Sequence, residues 1–460
     1  MKFKEKYIGD KNFYRALLIV VVPLIIQNAI TNFVSLLDNI MIGRIGTEQM
    51  SGVAIVNQLL FVFNIGVFGI TSAVGIFTAQ FYGAGNEDGV RESFRLKIIA
   101  SSVFTVLAIL VFKFFGGELI SLFLNDTGEG GNIQLTLEYG LKYLDIILIQ
   151  IVPFTVVQIY ASTLRERGVT VLPMICGTVA VFVNLAFNAV LIYGLLGMPA
   201  LGVKGAAIAT LIARLVEMVA IIVCVHKDKV KNPYIIGVYR NFKISRTLVM
   251  NVAKLGTPLI LNEFLWSLGM TMLNQSYSTR GLDVVGALNI SSTLSNLFNV
   301  VFISMGSAVG IMVGQQLGAG NVEKAKDTVR KEVFACVGAC IIIGSLLALV
   351  AGVFPEIYNT SNSIKNLAKT FIRISALFMP VIAFVNMSYF TMRSGGKTLI
   401  TFLFDSCYVW VVCIPLVYCL TRFTNLGIIV IFFACQSLEI IKAVIGYVLL
   451  KTGFWINKMV

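Results

Sequence analysis

The chain has 460 residues, of which 57% are hydrophobic and 13% are charged, and its mean hydropathy is +0.87. Soluble chains carry about 25% charged residues, so the composition excludes a soluble globule, a disordered chain and a collagen-like chain. The formal net charge of +13 does not indicate a nucleic-acid partner, because the lysines and arginines lie in short segments between apolar runs. The composition therefore predicts a polytopic membrane protein.

Twelve apolar runs follow one another along the chain, and each exceeds the length of about 20 residues that a transmembrane helix needs. They lie at 16–42, 51–80, 96–124, 141–164, 171–196, 203–226, 248–277, 284–316, 333–356, 366–392, 398–420 and 426–450. We therefore expect an all-α protein with twelve transmembrane helices. Lysine and arginine are concentrated at both termini and in the even-numbered connections, which predicts that both termini are cytoplasmic.

The two halves of the chain repeat each other. Residues 72–86 and 307–321 are identical at ten of fifteen positions with a constant offset of 235. Pro23 in the first span and Pro258 in the seventh are separated by the same offset, and we expect both to act as hinges. The pattern predicts a duplicated six-helix unit, with two bundles related by a pseudo-two-fold axis along the membrane normal. The expected domains are an N-terminal lobe (1–226), a cytoplasmic linker loop (227–247) and a C-terminal lobe (248–460).

Polar residues inside spans are candidate functional residues, because each costs free energy unless it finds a partner or a wet cavity. One face of the first span carries Gln27, Thr31, Ser35 and Asp38 at spacings of four, four and three. In the fifth span, Asn184 and Asn188 lie one turn apart, where their oxygens can coordinate a cation or their amides can bond a carboxyl group. The alternatives are a solvated Asp38 at the outer interface and two asparagines that only join helices.

The seventh span carries a second polar stripe, formed by Glu263, Trp266, Met270 and Asn274. An acid beside an indole and a thioether suits an organic cation, through charge, cation–π attraction and adaptable packing. In the eleventh span, Asp405 and Tyr408 are further candidates for a substrate cavity. Alternatively, the tryptophan and methionine face lipid, and Asp405 lies at the cytoplasmic interface.

The other charges inside spans are interpreted as structural. Arg214 with Glu217, and Glu439 with Lys442, have the i,i+3 spacing of ion pairs within one helix. The Gly-Ala-Gly-Asn turns lack the Gly-Lys-Ser/Thr of a nucleotide-binding loop. We therefore expect no enzymatic activity and no cofactor, so that any pump would run on an ion gradient.

Several motifs together resemble the multidrug and toxic compound extrusion (MATE) transporters. They are the duplicated halves, the segment Asp38-Asn-Ile-Met-Ile-Gly-Arg-Ile-Gly46, the two Gly-Ala-Gly-Asn turns, and the segment Asn184-Leu-Ala-Phe-Asn188-Ala-Val-Leu-Ile-Tyr-Gly194. This resemblance implies a V-shaped pair of six-helix bundles that exports cationic or amphipathic drugs in exchange for protons or sodium ions. It also implies that Asp38, Asn184 and Asn188, with Gln27 nearby, form the coupling site, where sodium is one possible ligand, and that the first helix bends at Pro23.

The expected setting is the plasma (inner) membrane, with the lipid bilayer and small organic cations as partners, no nucleic acid, and a monomeric chain. Two other classes stay open at this point. One is a flippase for a lipid or a lipid-linked glycan, with Arg214 as the main candidate for contacting a pyrophosphate. The other is a channel or a non-transporting receptor.

Overall fold

The structure is a computed structural model that describes residues 6–43, 46–124 and 132–460. Lys2, Lys4 and the motif residues 44–45 lie outside the described residues, as does the side chain of Ser35. The described ranges are helical and contain no β-strand. Their twelve long helices are α1 (Lys11–Gly43), α2 (Thr47–Gly83), α3 (Glu87–Ser121), α4 (Ile133–Glu166), α5 (Val171–Tyr193), α6 (Val203–Lys227), α7 (Arg246–Ser278), α8 (Leu282–Gly318), α9 (Val322–Val350), α10 (Asn362–Ser394), α11 (Thr398–Phe423) and α12 (Ile428–Lys451).

Eleven of these helices are long and apolar enough to cross a membrane by length and composition. The remaining helix, α7, has 33 residues but carries the polar stripe that includes Asn262 and Glu263. The predicted fold class, an all-α membrane protein with twelve helices, is confirmed. Within α11, the segments Leu403–Cys407 and Val409–Cys413 are π-helical, a form that is rare and often found at functional sites.

The chain divides into two compact units. The first unit consists of Met1–Ile25, Ala79–Gly85 and Ala253–Val460, and the second consists of Ile26–Thr78 and Asn86–Val252. These units differ from the expected lobes, because residues 1–25 and 79–85 group with the C-terminal half of the chain. The six-helix lobes at 1–226 and 248–460 stay a prediction.

Each unit has its own apolar core. In the first unit, α10 packs against α8, α9 and α12, and its core includes Val309, Cys336 and Met379. In the second unit, α4 packs against α3 and α6, and α6 also packs against α5. Its core includes Val56 and Ile151. Both cores combine aliphatic and aromatic side chains with small ones such as Ala308 and Ala207, which allow transmembrane helices to approach closely.

The repeated sequence motif forms the same turn twice. α2 ends at Gly83 and α3 begins at Glu87, while α8 ends at Gly318 and α9 begins at Val322, so the offset of 235 holds for each boundary. The second glycine of each turn has a left-handed φ, 72° at Gly85 and 76° at Gly320, a conformation that glycine adopts without steric cost. The duplication seen in the sequence is therefore a duplication of local structure.

Within the first unit, the ends of α2 and α8 touch backbone to backbone. A Cβ atom on Gly83 would lie 1.9 Å from the carbonyl oxygen of Gln315, and one on Gly318 would lie 1.9 Å from that of Gln80. The two contacts are equivalent under the repeat, since both pairs are offset by 235. The Gln80 side chain is buried here, and it donates to the carbonyl oxygens of Ser394 at 3.3 Å and Asn457 at 3.2 Å.

We expect Gly83→Ala to lower the stability of the purified protein, because the added methyl group displaces a backbone carbonyl. Overpacking of this kind costs about 1–3 kcal/mol. Gly117→Ala in α3 is the matched control, because no atom lies within 4 Å of the Cβ position there. It is expected to be neutral or stabilising, as alanine favours helix over glycine by about 1 kcal/mol. Thermal unfolding in detergent compares the two, and equal unfolding temperatures would contradict the close contact.

Candidate functional site

A carboxylate and two carboxamides meet in the second unit. Asp38 lies near the end of α1, and Asn184 and Asn188 are buried on α5. Asn188 Nδ2 donates to Asp38 Oδ1 at 2.7 Å. The Asn184 amide, oriented with Nδ2 toward the carboxylate, donates to the two Asp38 oxygens at 3.1 and 3.2 Å, and its own oxygen accepts from the Thr210 hydroxyl at 3.3 Å. We call Asp38, Asn184, Asn188 and Thr210 the N-half cluster.

One acceptor in the N-half cluster is left without a partner. Asn188 Oδ1 is buried and has no hydrogen-bond partner among the described residues, although buried polar atoms are almost always bonded. It belongs to the side chain that already donates to Asp38, so a neutral oxygen lies close to an acid. Carboxylate and carboxamide oxygens are the ligands that hard cations prefer. The cluster can therefore accept a proton on Asp38 or a small cation beside it.

Gln27 is not part of the N-half cluster. It precedes Asp38 by eleven residues on α1, which is about 16 Å along a helix that rises 1.5 Å per residue. Its side chain lies beside Gly177 of α5, where an added Cβ would be 3.3 Å from Gln27 Nε2 and 3.4 Å from Glu217 Oε1. Glu217 forms the predicted ion pair with Arg214, at 2.6 Å. Gln27 thus belongs to a separate polar group in the same unit.

A second polar site in the first unit is centred on Glu263. Its Oε1 accepts from Arg393 Nη1 at 3.1 Å and from the Tyr389 hydroxyl at 3.2 Å. Arg393 and Tyr389 are both buried and lie one turn apart on α10. The predicted acid of α7 is therefore neutralised by a guanidinium group. Sequence analysis paired Arg393 with no acid.

Asn262 joins this ion pair to a second one. Its Nδ2 donates to the Tyr389 hydroxyl and to Asp405 Oδ2, each at 3.2 Å, and its side chain is only 1% exposed. Asp405 Oδ1 in turn lies 2.7 Å from Lys442 Nζ of α12. The ion pairs are thus linked through one amide and one phenol. We call the whole set the C-half network: Asn262, Glu263, Tyr389, Arg393, Asp405 and Lys442.

The ion pair of Lys442 corrects one prediction. The i,i+3 spacing predicted a pair with Glu439 on the same helix, but Lys442 pairs with Asp405 of α11. Asp405 lies in the π-helical segment Leu403–Cys407 and is mostly buried, with 15% of its side chain exposed. Both groups are largely removed from water, and the attraction between their charges offsets part of that cost. Asp405 is thus held inside the unit.

The remaining residues of the predicted substrate stripe are exposed on the surface of the first unit. Trp266 is 42% exposed and Met270 is 40% exposed, and Asn274 is exposed one turn further along α7. Tyr408 is half-buried, and its hydroxyl donates to the carbonyl oxygen of Leu438 at 2.9 Å. Tyr408 therefore supports the packing of α11 on α12, while the other three side chains remain open to a ligand.

Sequence reasoning missed Asn262 and Tyr389. Asn262 directly precedes Glu263, so it lies about 100° away around the helix and outside the stripe that was considered. Tyr389 precedes Arg393 by four residues, a spacing that places both on one helix face and that could have indicated the pair. No sequence spacing relates Lys442 to Asp405, since they belong to different helices.

Comparison with known proteins points to one family. A family model described as MatE matches residues 23–190 and 258–419. A probable multidrug resistance protein NorM from Thermotoga maritima is 22% identical over 95% of this chain and 92% of its own length. A probable multidrug resistance protein YoeA from Bacillus subtilis is 25% identical over 90% of this chain and 89% of its own.

Solved structures share the fold. A MATE protein in complex with MaL6 matches with a TM-score of 0.86 and 19% identity, over 98% of both chains. A transporter of the MOP superfamily from Pyrococcus furiosus, described as having a reversed polarity of the binding pocket that suggests a different function, matches with a TM-score of 0.82 and 18% identity, over 98% of both chains. Since the family match covers most of both halves, the chain belongs to the MATE family of transporters.

Proposed function

We propose that this protein is a secondary active antiporter that exports cationic or amphipathic drugs in exchange for protons or sodium ions. The observation that carries the proposal is the N-half cluster, in which the Asp38 carboxylate is bound by two carboxamides beside an unpartnered oxygen. The names of the NorM and YoeA relatives support drugs as the substrate class. We place the protein in the bacterial plasma membrane, with both termini cytoplasmic, and we propose that the chain acts as a monomer.

Asp38 is the proposed coupling residue. Protonating it, or placing sodium between it and Asn188 Oδ1, changes the charge that the carboxamides of α5 must balance. A bound ion shifts a conformational equilibrium only by its difference in affinity between the two states. The boundary between the compact units falls at Ile25 and Ile26 of α1, two residues after Pro23. Since proline removes a helical hydrogen bond, we propose Pro23 as the hinge that responds to the ion, and Pro258 as its counterpart in α7.

The proposed substrate contacts are Trp266, Met270 and Asn274, with Glu263 behind them. The exposed indole offers a face for a cation, and the thioether adapts to flat hydrophobic molecules. Glu263 offers a substrate cation only part of its negative charge, because Arg393 Nη1 already lies 3.1 Å from Glu263 Oε1. Asp405 is likewise bound to Lys442. We therefore propose that aromatic and apolar contact, more than full charge, selects the drug.

A lipid or lipid-linked glycan flippase is the second candidate. The Pyrococcus furiosus structure of the same fold is described as having a reversed pocket polarity that suggests a different function. Its anionic substrate would need cationic side chains that are free to bind it. Arg214 is instead paired with Glu217 and Arg393 with Glu263, and this pairing favours drug export. Transport of a fluorescent anionic lipid between leaflets, at a rate equal to that of a cationic dye, would favour the flippase.

Asp38→Asn is expected to reduce ion-driven efflux of a cationic dye from membrane vesicles by at least about tenfold, which corresponds to ~1.4 kcal/mol. The reason is that asparagine can neither bind a transferable proton nor supply the negative charge. Asp145→Asn is the matched control, because that carboxylate is 64% exposed and pairs with Lys113 at 3.1 Å. Wild-type coupled efflux in Asp38→Asn would remove Asp38 from the coupling site.

Trp266→Leu is expected to weaken binding of the same dye by roughly two- to thirtyfold, the range for a cation–π contact of about 0.5–2 kcal/mol. Fluorescence titration of the purified protein measures the affinity. Phe264→Leu is the control, since that ring is similarly exposed at 46% but points away from the Trp266 stripe. Equal affinity in Trp266→Leu and the wild type would exclude the indole from the substrate site.

A further inference from the structure

Glu332 is a fully buried acid that has no hydrogen-bond partner in the described part of the chain. It lies eleven residues into α9 and is 0% exposed. Neither carboxylate oxygen has a hydrogen-bond partner among the described residues. A buried polar group without a hydrogen bond is rare in proteins, and a lone buried charge is far more costly still. The described residues therefore provide this carboxyl group with neither a hydrogen bond nor an ion pair.

The equivalent position in the first half of the chain carries a residue of opposite charge. Glu332 is offset by 235 from Lys97, and the helices that carry them begin at equivalent residues. Lys97 is also 0% exposed, but it donates to the hydroxyls of Ser162 and Thr163, each at 3.0 Å, and it forms an ion pair with Glu166. At equivalent positions, the first half of the chain thus buries a lysine with three polar partners. The second half buries an acid that has no hydrogen bond among the described residues.

The preceding turn of α9 carries a hydroxyl that is already bonded to α8. One turn earlier on α9, Thr328 accepts from Gln316 Nε2 of α8 at 2.9 Å, which leaves Gln316 Oε1 buried and without a partner. Three acceptor oxygens in this region, two on Glu332 and one on Gln316, are therefore unbonded within the described chain. A protonated carboxyl group has one O–H donor, and it is the smallest addition that removes the charge and supplies a donor.

Charged groups on the packed helices do not replace that donor. The helices that pack most extensively against α9 are α8 and α10, and the first turns of α1 also touch it, where Lys331 Nζ lies over the Phe13 ring. The titratable group on α9 that faces Glu332 is the Cys336 thiol. The charged residues of the packed helices are Asp283 on α8, Lys365, Lys369, Arg373 and Arg393 on α10, and Lys11 and Arg15 in the first turns of α1. None of them forms an ion pair with Glu332 in the described structure, and Arg393 is bound by Glu263.

We propose that Glu332 is a second proton-binding site, which holds a proton in the present conformation and releases it in a conformation that admits water. A metal cation is less suited to the site, because hard cations require about six oxygen ligands and the described residues contain no cluster of three acidic, cysteine or histidine side chains. This inference extends the proposed antiport by a proton step in the second half of the chain. It does not depend on which substrate is exported.

Proton binding can be measured directly on the purified protein. Glu332→Gln replaces the protonated acid by a neutral side chain of the same shape, so it is expected to fold. Potentiometric titration in weakly buffered detergent should show that the variant loses about one titrating proton relative to the wild type. Glu323→Gln is the matched control, because it removes a single acid from the same helix. The Glu323 side chain is 84% exposed and pairs with Lys326, so this variant should lose only the titration of an ordinary surface carboxyl group.

A transport assay distinguishes the proposed proton site at Glu332 from the proposed antiport. If Glu332 carries a proton through the cycle, Glu332→Gln should lower the number of protons moved per dye molecule in proteoliposomes, while dye affinity stays unchanged. A titration curve in Glu332→Gln that matches the wild type would overturn the proposal, as would a wild-type titration that sodium abolishes at fixed ionic strength. A failure of dye transport in every variant would contradict the antiport but would leave the titration result intact.

Discussion

The structure depends on the cost of placing ionisable groups inside an apolar chain. A charge removed from water costs several kcal/mol unless partners replace its hydration, and a membrane-spanning helix cannot move such a group to the surface without unfolding. Three acids inside the described helices therefore have partners that replace part of their hydration. Asp38 has two carboxamides, Glu263 has a guanidinium and a phenol, and Asp405 has an ammonium. Glu332 has no such partner among the described residues, and we propose that a bound proton removes its charge instead.

The two units meet this constraint differently. In the second unit, neutral amides bind Asp38, so the net charge of the N-half cluster changes whenever a proton or a cation binds. In the first unit, the C-half network consists of two ion pairs joined by Asn262 and Tyr389, and its formal charge is already balanced. A network whose formal charges cancel is suited to holding helices together. A site with an uncompensated negative charge is suited to binding a coupling ion. This difference is the reason for assigning ion coupling to Asp38 and not to Glu263.

Much of the fold could be predicted because apolar runs and repeats are local features. The offset of 235 predicted a duplicated unit, and the turns that follow α2 and α8 are related by that offset in the structure. The spacing of Asn184 and Asn188 likewise singled out two side chains that the structure brings to Asp38. Contacts between helices were not predictable in the same way. Lys442 bonds to an acid on α11 instead of the acid one turn away, and such contacts depend on helix packing, which sequence spacing does not specify. The separation of Gln27 and Asp38, by contrast, follows from their spacing of eleven residues on one helix.

We propose that an ion gradient drives export through Asp38. The decisive measurement uses proteoliposomes that contain the purified protein and a cationic dye, with the proton gradient and the sodium gradient imposed separately. At least one gradient is expected to drive the dye against its own concentration difference, and collapsing this gradient or introducing Asp38→Asn is expected to stop the movement. Dye movement that is equally fast without either gradient, or uphill transport that persists in Asp38→Asn, would contradict the proposal.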